Sequence, residues 1–214
     1  MVYNHILKKL DIQDLTTIIE VGGRYGTESV DLANDYPNSI IHCFECNPNT
    51  IKKCKEVCST KKNIIFNPIG VSETGEKFRF FSYIKDNDGC SIFYNRIDGE
   101  HTMKNQGAID TITLYDYMET NKIKNIDCLC LDTQGSELDI IKGLKDKINK
   151  VSYIILEQPN EIPNKHYLPP NTYSKYIGAP DALTIKNYLE SNGFEEIYRQ
   201  KENEIENNVV YKYK

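Results

Sequence analysis

The chain has 214 residues, 27% of them charged, and a formal net charge of −5. This length suits one domain, and the acidic balance disfavours a nucleic-acid partner because no global basic field would hold a phosphate backbone. No run of 18 apolar residues predicts a membrane span, and Lys8 and Lys9 interrupt the stretch in which a secretion signal needs its apolar core. We therefore expect a single domain over residues 1–214 that acts in the cytoplasm without a membrane partner.

Residue usage adds a prediction about source and redox state. Lysine outnumbers arginine 22 to 4, which is typical of an AT-rich genome, either of a low-GC microbe or of a large DNA virus whose proteins act in the host cytoplasm. Seven cysteines without a framework of spacings favour reduced thiols. Cys43-x-x-Cys46, followed by Cys54 and Cys58, is weighed as a zinc site. Core positions are favoured, because Cys43 lies in an apolar strand and the last two share the buried stripe of a helix.

Apolar runs alternate with stretches of helical period along most of the chain. A short helix is expected within residues 1–15, and the alternating core runs from 16 to 214. Such alternation predicts a parallel sheet with helices on both faces. In chain order the predicted elements are helix 3–10, strand 16–21, helix 27–36, strand 39–44, helix 49–58, strand 63–67, helix 113–120, strand 126–131, a helix from 136, strand 151–156 and a helix from 181.

Two insertions and the C-terminus depart from this alternation. Residues 75–110, with an additional strand at 77–83, and residues 159–180 interrupt it. Residues 194–200 and 208–213 are strand-like with no helix between them, so they must form a hairpin that places one antiparallel strand in the sheet. The predicted fold class is α/β, Rossmann-like, with seven strands of which one is antiparallel. Such a sheet is similar to the core of class I methyltransferases.

The first strand runs through Glu20 into a turn that contains Gly22, Gly23, Tyr25 and Gly26, and then into a helix. Glycines let the backbone approach a ligand, and the N-terminus of a helix offers free N–H groups. Arg24 stands where a dinucleotide binder would have its second glycine, so that signature is missing. An acid before the first glycine suits a cationic ligand such as S-adenosylmethionine. We expect Glu20 to bind this cofactor together with Gly22, Gly23, Tyr25 and Gly26.

The ends of the next two strands supply further candidates for the cofactor site, because ligands of such sheets lie outside the carboxyl ends of the strands. The second strand ends in Glu45, Cys46 and Asn47, and the carboxylate of Glu45 can accept both hydroxyls of a ribose. Ser72 follows the third strand and is expected to border an adenine ring.

Asp132 and Glu157 end two neighbouring strands and are expected to converge. Three roles remain open for Asp132: it holds the amino group of the cofactor, it polarises the acceptor hydroxyl, or it joins Glu157 and Gln158 around Mg²⁺ as oxygen ligands. Glu137 is interpreted as a residue of the first helical turn, favoured there by the helix dipole.

Four segments stand out in chain order: residues 20–26, 44–48, 112–118 and 131–138, the last with Lys142-Gly143-Leu144 behind it. Together they resemble the FkbM-type family of S-adenosylmethionine-dependent methyltransferases, and the likeness covers nearly the whole length of the chain. The family implies methyl transfer to a hydroxyl oxygen, commonly of a sugar or another secondary metabolite. Two positions depart from the family: Cys46 stands where it usually has Pro, and Arg24 where it often has Asn.

A hydroxyl becomes a good nucleophile only as its proton leaves, so a general base or a metal is expected. The candidates are Asp132, Glu157 and a histidine. His101 and His166 fall in segments expected to overhang the site, and His166 is preferred because tyrosines follow it, including Tyr176, that could stack on a sugar. The expected acceptor is a small molecule or glycan with a free hydroxyl. An RNA ribose 2′-O-methyltransferase and a non-catalytic cofactor-binding partner subunit remain as alternatives.

Overall fold

The computed structural model describes residues 3–83, 90–91, 94–95, 103–161 and 176–214. Its main sheet has seven strands, which lie in the spatial order β6-β7-β5-β4-β1-β2-β3. In chain order these strands are β1 (Thr17–Val21), β2 (Ile40–Phe44), β3 (Ile64–Asn67), β4 (Ile126–Leu131), β5 (Val151–Pro159), β6 (Phe194–Lys201) and β7 (Glu206–Tyr213).

The predicted reversal at the C-terminus is confirmed. β7 pairs antiparallel with both β5 and β6, whereas β1 to β5 pair parallel with one another. The chain therefore enters the sheet at β1, moves outward to β3, crosses back to β4 beside β1, and finishes with the hairpin. The order reverses between β1 and β4, which is where ligands of such sheets bind.

Helices cover both faces of the sheet. The helices α1, α2 and α3 cover one face, where Leu7 and Leu32 pack against Ile18 and Ile41, and α4, α5 and α6 cover the other. The bounds are α1 (Tyr3–Lys9), α2 (Thr27–Asp35), α3 (Ile51–Cys58), α4 (Leu114–Asn121), α5 (Glu137–Lys142) and α6 (Ala182–Ser191), with a 3-10 helix at Lys145–Lys150. In the central strands β1, β4 and β5, alternate residues are buried on opposite faces of the sheet.

Local capping interactions explain where helices α4 and α6 begin and where the segment after α6 turns. The hydroxyl oxygen of Thr113 accepts the N–H of Asp116 at 2.9 Å and starts α4, as predicted. Asp181 starts α6 in the same way by accepting the N–H of Thr184 at 2.7 Å. Gly193, with φ +91°, ends the segment after α6 and lets the chain turn into β6.

The first insertion contains more strand than the sequence predicted. The expected strand at 77–83 is present as Phe78–Tyr83, and it pairs antiparallel with a seven-residue strand, Met103–Ile109, that was not predicted. This partner is mostly exposed and polar, with only Met103 fully buried, so it lacks the apolar alternation of a half-buried strand.

Short pairs of strands complete the described fold. The first insertion and the second one are joined where Tyr94–Asn95 pairs antiparallel with Tyr176–Ile177. Gly70–Val71 pairs parallel with Thr111–Ile112, and Cys90–Ser91 pairs with the strand Phe78–Tyr83. Within the described part of the chain, no helix is long and apolar enough to span a membrane.

Candidate functional site

The glycine turn between β1 and α2 is tightly packed against the end of β4. Gly22 has φ +94°, and a Cβ placed on it would lie 2.0 Å from the carbonyl oxygen of Asp132. The backbone N–H groups of Gly22 and Gly23 both donate to the carbonyl of Phe44, at 3.0 and 2.9 Å. Gly26, with φ +77°, directly precedes α2. The turn therefore fixes the ends of β1, β2 and β4 relative to one another, as a cofactor loop at this edge requires.

Glu20 lies under helix α2 and is only 1% exposed. Its carboxyl group accepts a hydrogen bond from the Ser29 hydroxyl in the first turn of that helix. The paired residues on the neighbouring strands are Cys43 and Cys130, which give the carboxyl group an apolar surrounding. Burial raises the pKa of Glu20 to about 8, so the protein described here carries this group mainly in its neutral form at pH 7.

Glu45 ties the glycine turn to the loop that follows β2. One carboxylate oxygen accepts the N–H of Arg24 and the other accepts the N–H of Asn47, both at 2.6 Å. Arg24 has φ +48°, and its side chain lies over the ring of Tyr25. Burial raises the pKa of Glu45, while the backbone hydrogen bonds oppose that rise. Of its neighbours, Asn47 is buried and Cys46 is half-buried.

Asp132 and Glu157 meet through Gln134, which the sequence did not single out. The amide nitrogen of Gln134 donates to Asp132 Oδ1 at 2.6 Å and reaches Glu157 Oε2 at 3.5 Å. Its amide oxygen accepts the hydroxyl of Tyr176, from the second insertion. Gln134 has φ +57°, a conformation that sequence patterns do not reveal for a residue other than glycine. An amide thus links the two carboxylates that the sequence selected.

Glu137 holds the loop that carries Gln134. It begins α5 as predicted, and its side chain accepts the N–H groups of Thr133 at 2.8 Å and of Gly135 at 3.1 Å. Burial raises the pKa of Glu137 to about 7. The acid in the last motif therefore shapes the backbone around Gln134, a role beyond the helix-dipole interpretation.

Ser72 is buried, and its hydroxyl forms hydrogen bonds with the Thr111 hydroxyl at 2.7 Å and the Gly75 N–H at 3.0 Å. These bonds join the two ends of the first insertion. The Ser72 carbonyl also explains the glycine of the Lys-Gly pair, because a Cβ on Gly143 would lie 2.5 Å from that oxygen. The motif glycine is thus required by close packing behind the site.

Of the four histidines, His5 is exposed on α1, one is buried and structural, and two lie outside the described residues. His42 is buried, its Nδ1 lies 2.8 Å from the Tyr117 hydroxyl, and burial lowers its pKa to about 4. His101 and His166 lie outside the described residues, as do residues 162–175 around His166.

Comparison with known proteins defines the class. Several solved methyltransferases share this fold, including an S-adenosylmethionine-dependent methyltransferase from Aquifex aeolicus (11% identity, TM-score 0.55, 97% of this chain and 87% of that one). The N-terminal domain of EvdMO1, crystallised in the presence of SAH and D-fucose, is similar at 12% identity and TM-score 0.53, over 98% of this chain and 80% of that one. The fold is that of a class I methyltransferase, as the sequence predicted.

The family follows from the sequence comparison. Residues 20–196 match the Methyltransferase FkbM domain, and the chain belongs to this family. The 2-O-methyltransferase NoeI of Sinorhizobium fredii is 22% identical over 170 residues, which are 75% of this chain and 70% of that protein. The protein is therefore an S-adenosylmethionine-dependent methyltransferase, and the predicted family and cofactor are confirmed.

Proposed function

We propose that the chain transfers a methyl group from S-adenosylmethionine to a hydroxyl oxygen of a sugar or glycan. The acceptor class is supported by the name of NoeI, a 2-O-methyltransferase, and by the D-fucose named in the EvdMO1 structure. The observation that carries the proposal is the place of Asp132. Its carbonyl oxygen abuts Gly22 of the glycine turn, and its carboxylate faces the Gln134 amide that links it to Glu157.

The residues at this edge fit the cofactor. Gly22 carries no side chain because the Asp132 carbonyl oxygen fills the place of a Cβ, and this close packing brings the end of β4 against the turn. Glu45 lies at the end of β2, where carboxylates of such folds accept ribose hydroxyls. The bound cofactor supplies a methyl group on a cationic sulfur. We assign its binding to Gly22, Gly23, Tyr25, Gly26, Glu45, Cys46, Asn47, Ser72 and Asp132. Glu20, which the sequence grouped with them, lies buried under α2 with its carboxyl group bonded to Ser29, and we assign it a supporting role behind the turn.

The chain's own residues then have two tasks. They hold the acceptor oxygen in line with the methyl group, which supplies much of the rate enhancement, and they receive the proton of the hydroxyl. We assign the proton to the Asp132 carboxylate, because it lies beside the turn. Gln134 fixes the orientation of that carboxylate through its 2.6 Å hydrogen bond. We assign Glu157, which the same amide reaches, to hydrogen bonding with the sugar or glycan that receives the methyl group. His166 is retained as a candidate base from the sequence.

The same geometry does not favour Mg²⁺ between Asp132 and Glu157. The Gln134 N–H group donates toward both carboxylates, and a donor group cannot share that place with a cation. Within the described residues, neither acid belongs to a group of three or more His, Cys, Asp or Glu side chains whose ligand atoms lie inside 4.8 Å of one another. We derive no step through Mg²⁺. Mg²⁺ added back after chelation is expected to leave the methylation rate unchanged, and strong stimulation would contradict this.

Replacement of Asp132 by Asn tests the proposal. Radiolabelled S-adenosylmethionine is offered with free sugars, nucleotide-linked sugars and a short RNA, while calorimetry measures SAH binding. Turnover on a sugar is expected to fall about 10²–10⁴-fold, far more than the affinity for SAH, because the variant loses the proton acceptor while the Asn side chain keeps an oxygen that can still contact the cofactor. Asp146→Asn, at an exposed acid, is the control.

Three outcomes would contradict parts of this proposal. Turnover that survives in Asp132→Asn removes the assigned base. Methylation of RNA without methylation of sugars establishes the alternative acceptor. Binding of SAH without turnover on any acceptor identifies a non-catalytic binding subunit.

A further inference from the structure

We propose that Cys43, Cys54 and Cys58 form a binding site for a thiophilic closed-shell metal ion, Zn²⁺ or Cu⁺. Cys43 lies on β2, and the other two lie one helical turn apart on α3. All three are buried, with at most 1% exposure. The sequence favoured core positions for these residues. The structure adds that three thiols from two elements converge at one point.

The spacing of the three sulfur atoms matches that of ligands on one ion. The Sγ atoms of Cys43 and Cys54 are 3.8 Å apart, those of Cys54 and Cys58 are 4.0 Å apart, and the third pair lies within 4.8 Å. A point equidistant from three sulfurs with such separations is about 2.2–2.5 Å from each, and a Zn–S bond is about 2.3 Å long. An ion therefore fits among the sulfurs without movement of either backbone element.

The donor set decides which ions suit the site. Soft thiolates select Zn²⁺ and Cu⁺ over hard, oxygen-preferring cations. Among the described residues, no fourth Cys, His, Asp or Glu belongs to the set, and the half-buried Cys46 lies outside it. Three thiolates satisfy Cu⁺, whereas Zn²⁺ completes its tetrahedron with a small exogenous ligand. Each thiol that binds loses its proton to solvent, and no electron is transferred.

The sulfur cluster also lies directly against the glycine turn. A Cβ on Gly23 would lie 2.4 Å from the Cys43 sulfur, and a Cβ on Gly26 would lie 2.8 Å from the Cys58 sulfur. Bound metal would therefore stiffen the support of this turn. Cys128 and Cys130 provide an internal comparison. Their sulfurs are also buried and in contact, at 3.6 Å, but among the described residues no third thiol joins them.

The test measures metal directly and needs no methyl acceptor. The reduced, metal-free full-length protein is incubated separately with Zn²⁺ and with Cu⁺ under anaerobic conditions and passed through a desalting column with a weak chelator. The retained metal is measured by mass spectrometry. We expect about one equivalent in the wild type, in Cys128→Ala and in Cys46→Ala, and less than about a tenth of that in Cys54→Ala. The Zn²⁺ and Cu⁺ arms identify the ion.

Cobalt provides a second, spectroscopic readout. Co²⁺ in the wild-type site is expected to show thiolate-to-cobalt charge-transfer absorption, in Cys128→Ala as well but not in Cys54→Ala. Circular dichroism confirms that the variants are folded, and Cys43→Ala replaces Cys54→Ala if the latter is not. Wild-type protein that retains no Zn²⁺ or Cu⁺ and shows no cobalt band overturns the proposal, as does equal retention by the variants that lack Cys54 or Cys43.

Discussion

Replacement of Glu20 by Gln should remove a defined part of the pH dependence of stability. Burial raises the pKa of Glu20 from 4.5 to about 8 in the folded protein. A carboxyl group with a raised folded-state pKa contributes stability that is fully present below its unfolded pKa, and this contribution is lost as the pH rises through the folded value. Gln keeps the shape and an oxygen acceptor for Ser29 but cannot ionise. The window of the effect therefore lies between about pH 4.5 and pH 8.

The magnitude follows from the same two pKa values. Each pH unit within the window costs about 1.36 kcal/mol, so the full effect is about 5 kcal/mol, and the part between pH 6 and pH 8 is about 3 kcal/mol. In a chain of this size, a loss of 3 kcal/mol lowers Tm by roughly 6–12 °C. Glu137 also has a raised pKa, of about 7, so the wild type and the variant share a background pH dependence.

The assay is urea unfolding of both proteins at several values from pH 6 to pH 8, at constant salt. The quantity of interest is the wild-type free energy of unfolding minus that of Glu20→Gln, which cancels the background. This difference should fall by about 3 kcal/mol over the interval. Glu56→Gln, at an exposed acid, should show no such trend. A difference that is constant with pH would refute the conclusion that Glu20 is neutral and buried in the folded protein.

Three further predictions concern the turn and the acids around it. Glu45→Gln places an amide N–H against one of two backbone donors, so SAH affinity measured by calorimetry should weaken about tenfold, and unchanged affinity would remove the ribose role. Gly22→Ala should lower the free energy of unfolding, measured by chemical denaturation, by more than about 3 kcal/mol, because its Cβ meets the Asp132 carbonyl. The control is Gly107→Ala, which shares a positive φ of +100° but has open space around it and should lower that free energy by about 1–2 kcal/mol. Equal losses in the two variants would contradict the clash. Gln134→Leu should lower turnover about tenfold without changing SAH affinity, since it frees the carboxylate of Asp132 to rotate, and a loss confined to SAH binding would contradict this.

The main sheet could be predicted from the sequence because each of its strands carries a local signal. Apolar runs bounded by turn residues located β1 to β4 to within one residue at either end. The antiparallel strand β7 could be predicted because the sequence between the last two strand-like segments shows no helical periodicity, so the two segments had to form a hairpin. β5 extends three residues past its predicted end, through Glu157 to Pro159, because β7 continues to pair with it there. The residues of that extension are not apolar, so the hydrophobic pattern of the sequence does not indicate that the strand continues.

The site could be predicted only as far as strand ends determine it. Glu45, Asp132 and Glu157 could be proposed as site residues because parallel strands end at a common edge. The bridge through Gln134 could not be found, since it depends on a left-handed backbone at a residue that does not demand one. For Glu20 a signal was present: it shares a face with Ile18, and the alternation of β1 directs both toward α2.

The structure also gives a physical reason for one departure of this chain from its family. The family often has Asn at position 24, and here the backbone has φ +48°, a conformation that Asn adopts more readily than other residues with side chains. The contact that matters at this position is the backbone N–H that donates to Glu45, and any residue supplies it. Arg24 therefore retains the link between turn and carboxylate at a modest conformational cost.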